Sequence, residues 1–220
     1  MNFKRYIAFT LAEVLITLLI IGVIASIVIP GLIADSQNAE LKAAWKKSYA
    51  DVSQAAKRVL QDTGGSFSQI CSNTDDNVCF RNYFAQYLNY VKTCSAATSD
   101  GCLAANAKLL NGTTGNAPTA LGWSVNVAAF ILNDGSSIVF NHDYKDCMNA
   151  LCGSIYIDVN GPNKGPNVWG KDMFMIAVLY NKIIPFGSNG YGTVPSVSCV
   201  AGSVDSNNNG NGCSALYLYQ

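Results

Sequence analysis

The chain has 220 residues, no net charge and only 13% charged side chains, which leaves room for one ordinary domain beside an anchor. This balance excludes a nucleic-acid binder that works through a strong basic field, and no specific nucleic-acid partner is predicted. Apolar residues crowd into the stretch up to Ala34, whereas the remainder is rich in Gly, Asn, Ser and Tyr, a composition suited to short strands and long surface loops.

Residues 1–8 form a short leader in which Lys4 and Arg5 predict a cytoplasmic N-terminus. Phe9-Thr10-Leu11-Ala12-Glu13 follows and opens an apolar run to Ala34 in which Glu13 is the only charge. A carboxylate at a bilayer centre costs roughly 2.5–3.5 kcal/mol on insertion scales, and such residues tend to mark function. An ordinary secretory signal peptide is the competing reading, with Val23-Ile24-Ala25 as the cleavage site and a mature start near Ser26. Glu13 and the helical character of the segment beyond the run weigh against it.

That continuation runs from Asp35 to Asp62. Leu41, Trp45, Val52, Ala56 and Val59 are spaced by four, seven, four and three residues, one face of a helix. Thr63-Gly64-Gly65 ends it, glycine being the usual residue just past a helix C-terminus. A continuous helix from Phe9 to Asp62 extends roughly 81 Å at about 1.5 Å per residue, more than a domain of this size can bury. Its front half is expected to be covered by lipid or by further copies of itself. Pro30, followed by Gly31, predicts a kink or local unwinding.

A basic leader, Phe-Thr-Leu-Ala-Glu, an apolar run with a proline at position 30 and an amphipathic continuation together resemble the class III signal and N-terminal helix of type IV pilins and type II secretion pseudopilins. The resemblance covers roughly residues 1–60. It implies a prepilin peptidase that cuts between Ala8 and Phe9, followed by N-methylation of Phe9. Gly is the usual residue before the cut, so Ala8 is a departure. It further implies that Glu13 neutralises the Phe9 amine of a neighbouring subunit and so sets the register of assembly, each charge lowering the other's burial cost. The implied partners are like or unlike pilins in a polymer, the prepilin peptidase and an inner-membrane assembly platform. The implied location is the bacterial inner membrane for the precursor, then a periplasmic pseudopilus or a cell-surface pilus. The organisation expected is a leader at 1–8, a transmembrane and assembly half of the helix at 9–34, and a globular head at 35–220 that includes the rest of the helix.

Further along, Ser66 to Asn77 reads as loop. Phe80, Tyr83, Phe84, Tyr87, Leu88 and Val91 then repeat with helical period, predicting a short amphipathic helix. Its aromatic stripe suits either ligand stacking or, better explained by one buried face, packing onto the head. Residues 95–119 read as loop. Strands are predicted at Trp123–Leu132, Ser136–Phe140, Ser154–Val159 and Met173–Tyr180, with Lys182–Phe186 extending the last or starting another; Asn133-Asp134-Gly135 is a hairpin turn. The fold class is α+β: a long N-terminal helix packed on a C-terminal antiparallel sheet, loop-rich and disulfide-bonded.

Eight cysteines fall in close couples, Cys71/Cys79, Cys94/Cys102, Cys147/Cys152 and Cys199/Cys213. None makes a Cys-x-x-Cys pair and His142 is the single histidine, so disulfides in an oxidising compartment are the better reading than zinc. On the order of a hundred connectivities are possible, and sequential pairing is the expectation. The Cys199–Cys213 loop resembles, by position, the disulfide-bounded region of major pilins. His142 and Cys147 can be drawn as a thiol–imidazole pair, but a bond from Cys147 to Cys152 removes the thiolate, and no orienting third group is visible. Neither catalysis nor a required cofactor is expected.

Two loops are calcium candidates. Asp205, Asn207 and Asn209, followed by Gly210, match the opening of a calcium loop, yet the twelfth position is Leu216 where such loops carry a bidentate Glu. A flexible Asn/Gly loop closed by Cys199 and Cys213 is the preferred reading there. Asp158 and Asn160, with Asn167 and Asp172 downstream, form a second oxygen-rich loop, read first as Gly/Pro/Asn turns and second as a calcium site. The competing functional classes are a membrane-anchored extracytoplasmic binding protein that does not polymerise and a secreted domain released by signal cleavage.

Overall fold

A computed structural model describes residues 9–116, 127–148, 151–188, 199–200 and 209–219. The elements in chain order are α1 (Leu11–Asp62), α2 (Asn77–Ala85), β1 (Tyr90–Cys94), β2 (Asn106–Lys108), β3 (Thr114–Asn116), β4 (Ala128–Leu132), β5 (Ser137–His142), β6 (Gly153–Asp158), β7 (Met173–Leu179), β8 (Lys182–Pro185) and α3 (Cys213–Tyr219). The chain divides into two compact units, Met1–Glu40 and Leu41–Gln220.

In the first unit α1 carries its apolar side chains on the outside: Leu11, Leu19, Ile27 and Leu32 are all exposed. The helix runs unbroken through Pro30, so the local unwinding predicted there does not occur. Proline withdraws only its own N–H, leaving the Ser26 carbonyl without its usual donor, and the remaining ladder holds the helix.

In the second unit the same helix becomes amphipathic, with Trp45, Ser48, Val52, Ala55, Ala56 and Val59 buried. It stops where Thr63 N–H donates to Val59 O and Gly65 N–H to Leu60 O. Gly64 and Gly65 both hold positive φ, a conformation that costs glycine little.

The buried stripe of α1 packs on a six-stranded antiparallel sheet of order β1-β4-β5-β6-β7-β8. Successive side chains of a strand point to opposite faces, and both faces are covered. Phe130, Ile138, Phe140, Ile155, Ile157, Phe174 and Ile176 join the α1 side together with Phe80 and Phe84 of α2. Val139, Tyr156, Met173 and Met175 point the other way, onto Leu103, Ala107 and Trp169. The central strands are therefore buried on both faces, β6 throughout its length.

All four cysteine couples are bonded in sequence: Cys71–Cys79, Cys94–Cys102, Cys147–Cys152 and Cys199–Cys213. Two further expectations are corrected, and one element is new. The helix read from Phe80 to Val91 ends at Ala85, and Val91 is an exposed residue at an irregularity of β1. The region read as loop contains the hairpin β2–β3. The helix α3 has no counterpart among the predicted elements. For the strand predicted at Trp123–Leu132, β4 begins at Ala128, and residues 123–126 lie outside the described residues.

Candidate functional site

The N-terminal segment is built around a local device that the reading of Glu13 as a lone charge overlooks. Thr10 N–H donates to Glu13 Oε2 at 2.9 Å, Thr10 Oγ1 donates to the same oxygen at 2.8 Å, and Glu13 N–H donates to Thr10 Oγ1 at 3.3 Å. Thr10-Leu11-Ala12-Glu13 is thus a capping box, in which two N–H groups that the first turn cannot pair internally are satisfied reciprocally. The signal was in the sequence as Thr-x-x-Glu before an apolar run.

Two more polar groups of the run are closed upon the helix itself. Thr17 Oγ1 donates to Val14 O at 2.9 Å and Ser26 Oγ to Val23 O at 2.7 Å. Such back-bonding leaves no hydroxyl hydrogen to be desolvated in an apolar phase. α1 is the one helix among the described residues long and apolar enough to cross a membrane. Phe9 stands exposed ahead of the cap; Ala8, with Lys4 and Arg5, lies outside the described residues.

The second candidate is the connection from β6 to β7. Asp158, the last residue of β6, is buried. Its Oδ1 accepts Gly161 N–H at 2.9 Å and Asn160 N–H at 3.3 Å, an Asx turn. Gly161 holds a φ of 87°, and a Cβ there would strike the Gly135 carbonyl of the β4–β5 turn, so the position needs glycine. Across the connection, buried Asp172 accepts Asn167 N–H and Val168 N–H, each at 2.7 Å, on its two carboxylate oxygens. Asn160 Nδ2 donates to Gly165 O at 2.9 Å, and its side chain also approaches the Asp172 carboxylate. Three oxygens of this turn are buried without a hydrogen-bond partner: Asp158 Oδ2, Asn160 Oδ1 and Asn167 Oδ1. Burial, and then the charge of Asp172, push Asp158 up to about 7; burial likewise raises Asp172.

The structure brings together the four residues of this second loop. Of the first, Asp205 and Asn207 lie outside the described residues. Asn209 Oδ1 is engaged by Asn211 N–H at 3.0 Å, and Leu216 belongs to α3. The aromatic stripe is core: Phe80 and Phe84 are fully buried and Phe84 lies 5.1 Å from Phe140. Cys147 is bonded to Cys152 and has no thiolate to offer. The His142 imidazole is buried and stacked 5.4 Å from the Phe80 ring.

Comparisons of the chain with protein-family models, with curated proteins and with solved structures return no match.

Proposed function

We propose that this chain is a structural subunit of a type IV pilus or of a related secretion or competence pseudopilus, made as a membrane-inserted prepilin and assembled through its N-terminal helix. The observation that carries the reading is the double character of α1. From Leu11 to Ala34 it is apolar with its large side chains exposed, broken by two hydroxyls closed on the helix and one carboxylate that caps its own first turn. From Leu41 onward the same helix supplies the core of a disulfide-bonded α+β head. A secreted domain has no use for the first half.

In this reading the cap outlasts processing. A cut between Ala8 and Phe9 leaves the Thr10 amide and Glu13 intact, so the helix start is preorganised when the new Phe9 amine appears. Glu13 Oε2 serves Thr10, and the carboxylate's other oxygen remains for the amine of a neighbouring subunit. Four disulfides suit an oxidising compartment, the side that the basic leader assigns to the head.

The mature N-terminus tests this directly. Mass spectrometry of the membrane-derived protein is expected to find N-methyl-Phe9, and sheared surface or periplasmic fibres are expected to contain the chain. A start near Ser26 assigns the run to an ordinary signal peptide. An N-methylated chain that never enters a fibre assigns it to a membrane-anchored binding protein.

A further inference from the structure

We propose that the β6–β7 connection is a calcium site, with Asp158, Asn160, Asn167 and Asp172 as its protein ligands. The proposal is independent of the assembly reading above, since every residue in it belongs to the head.

The connection has an unmet requirement. A buried polar atom without a partner carries a desolvation cost that native proteins rarely leave standing. Here three oxygens from one turn are left so, and Asp158 Oδ2 belongs to a side chain only 1% exposed. All three are acceptors. The nearest amides serve other oxygens: those of Asn160 and Gly161 go to Asp158 Oδ1, those of Asn167 and Val168 to Asp172.

Charge points the same way. Asp158 and Asp172 are both buried and act on one another. Among the described residues no Lys or Arg forms an ion pair with either. Lys164 and Lys171 lie in the same connection but are exposed. Two buried carboxylates with acceptor oxygens around them and no cation from the protein call for a cation from solution.

The donor set selects which one. It is all oxygen, two carboxylates and two amide carbonyls, with neither His nor Cys, which excludes the zinc and copper preferences. Calcium accepts about six to eight oxygens in irregular geometry, so water completes the shell, and amide oxygens suit it. Magnesium holds its waters and demands near-octahedral geometry, a poorer match to a turn whose ligands come from four separate residues. The two negative charges balance the dication.

The turn is also built to be held. Asp158 ends a strand that is buried throughout, and Gly161 presses on the β4–β5 turn. Asp172 ties the far end back through Val159 N–H, which donates to Asp172 O at 2.9 Å. A cation here would clamp the two ends of the connection to one another.

The test uses the detergent-solubilised full-length chain, stripped with chelator and titrated with calcium chloride at pH 7.5, read by calorimetry and by melting temperature. A Tm rise of roughly 5–10 °C is expected at calcium about 100-fold above its Kd, with a smaller response to magnesium. Asp158→Asn is expected to abolish the response and Asn167→Ala to weaken it, whereas Asp205→Asn leaves it unchanged. Should Asp158→Asn fail to fold, Asn167→Ala carries the test through its weaker calcium affinity. No heat and no Tm shift in the unmodified chain overturns the site. So does a response that survives Asp158→Asn or Asn167→Ala at full strength, or one that disappears with Asp205→Asn.

Discussion

Trp45 and Phe174 stack with their ring centroids 4.7 Å apart and their planes 18° from parallel, and the Trp45 indole N–H donates to Ser214 O at 3.0 Å. One side chain of α1 thereby engages both β7 and α3. Replacing it with alanine removes a fully buried indole and its hydrogen bond to the Ser214 carbonyl. Trp45→Ala is expected to destabilise the head by about 3–5 kcal/mol. Trp45→Phe, which keeps a ring against Phe174, is expected to lose about 0.5–1.5 kcal/mol from the missing hydrogen bond. Denaturant unfolding of the two variants measures both, and a Trp45→Phe variant as stable as the unmodified chain would show that the indole hydrogen bond contributes nothing of its own.

The bond between Cys199 and Cys213 closes a segment of sequence separation 14 and lands on the first residue of α3. A loop of about 15 residues corresponds to about 3 kcal/mol of stabilisation in the chain-entropy account. The double variant Cys199→Ala/Cys213→Ala is expected to lower Tm by roughly 6–12 °C at that cost. A far smaller fall would mean that the contacts of Ser214 and Ala215 hold α3 without the bond.

Burial holds His142 below its ordinary value, with the charges of Asp76 and Asp75 opposing the shift. Because its folded pKa lies below the unfolded one, the unfolded chain takes up the proton first. Stability is unaffected well above about pH 6.5, and falls as pH drops below it by at most about 1.4 kcal/mol per pH unit. Neighbouring Asp143 is shifted upward, mainly by burial, and contributes a slope of the opposite sign at lower pH. The informative quantity is therefore the difference between the unmodified chain and His142→Phe, which keeps the ring stacked on Phe80. That difference is expected to grow as pH falls from about 6.5 to 5; a difference that stays constant would show that His142 is freely protonated in the folded head.

Thr10 and Glu13 separate capping from assembly. Thr10→Ala removes the side-chain cap, a loss of about 1 kcal/mol of local helix stability, but keeps the carboxylate. Glu13→Gln keeps a residue that the capping box accepts but removes the charge. If Glu13 pairs with the Phe9 amine of another subunit, breaking that buried pair costs about 3–5 kcal/mol. Sheared fibre is then expected to be near normal for Thr10→Ala and strongly depleted for Glu13→Gln, as judged by immunoblot. The reverse order would make Glu13 a cap and nothing more.

Long-period patterns were readable in the chain and short, tertiary-held elements were not. Leu41, Trp45, Val52, Ala56 and Val59 announce α1 because one buried face repeats over many turns. The turn at Asn133-Asp134-Gly135 fixes β4–β5 by local chemistry alone. The stripe beginning at Phe80 misleads past Ala85. Tyr87, Leu88 and Val91 keep helical spacing, but Tyr90 to Cys94 is aromatic and β-branched and is captured by Leu132 to Ala129 of β4. In α3, no periodicity of seven residues can signal a helix; what holds it is the bond at Cys213 and the hydrogen bonds of Ser214. The oxygen set of the β6–β7 connection was visible as residue types. Which oxygens the local amides consume, and which they leave, depends on backbone geometry that spacing does not encode.

Ser214 closes a circuit. Its carbonyl receives Trp45 across a sequence separation of 169 residues, and its hydroxyl oxygen accepts Met175 N–H at 2.9 Å. Contacts of that range form late, because loop closure precedes any reward. During synthesis, Trp45 leaves the ribosome long before its acceptor exists. The hydrophobic stripe of α1 must therefore wait, unpaired with α3, while the intervening strands emerge. Until then the indole face of α1 is without its α3 partner.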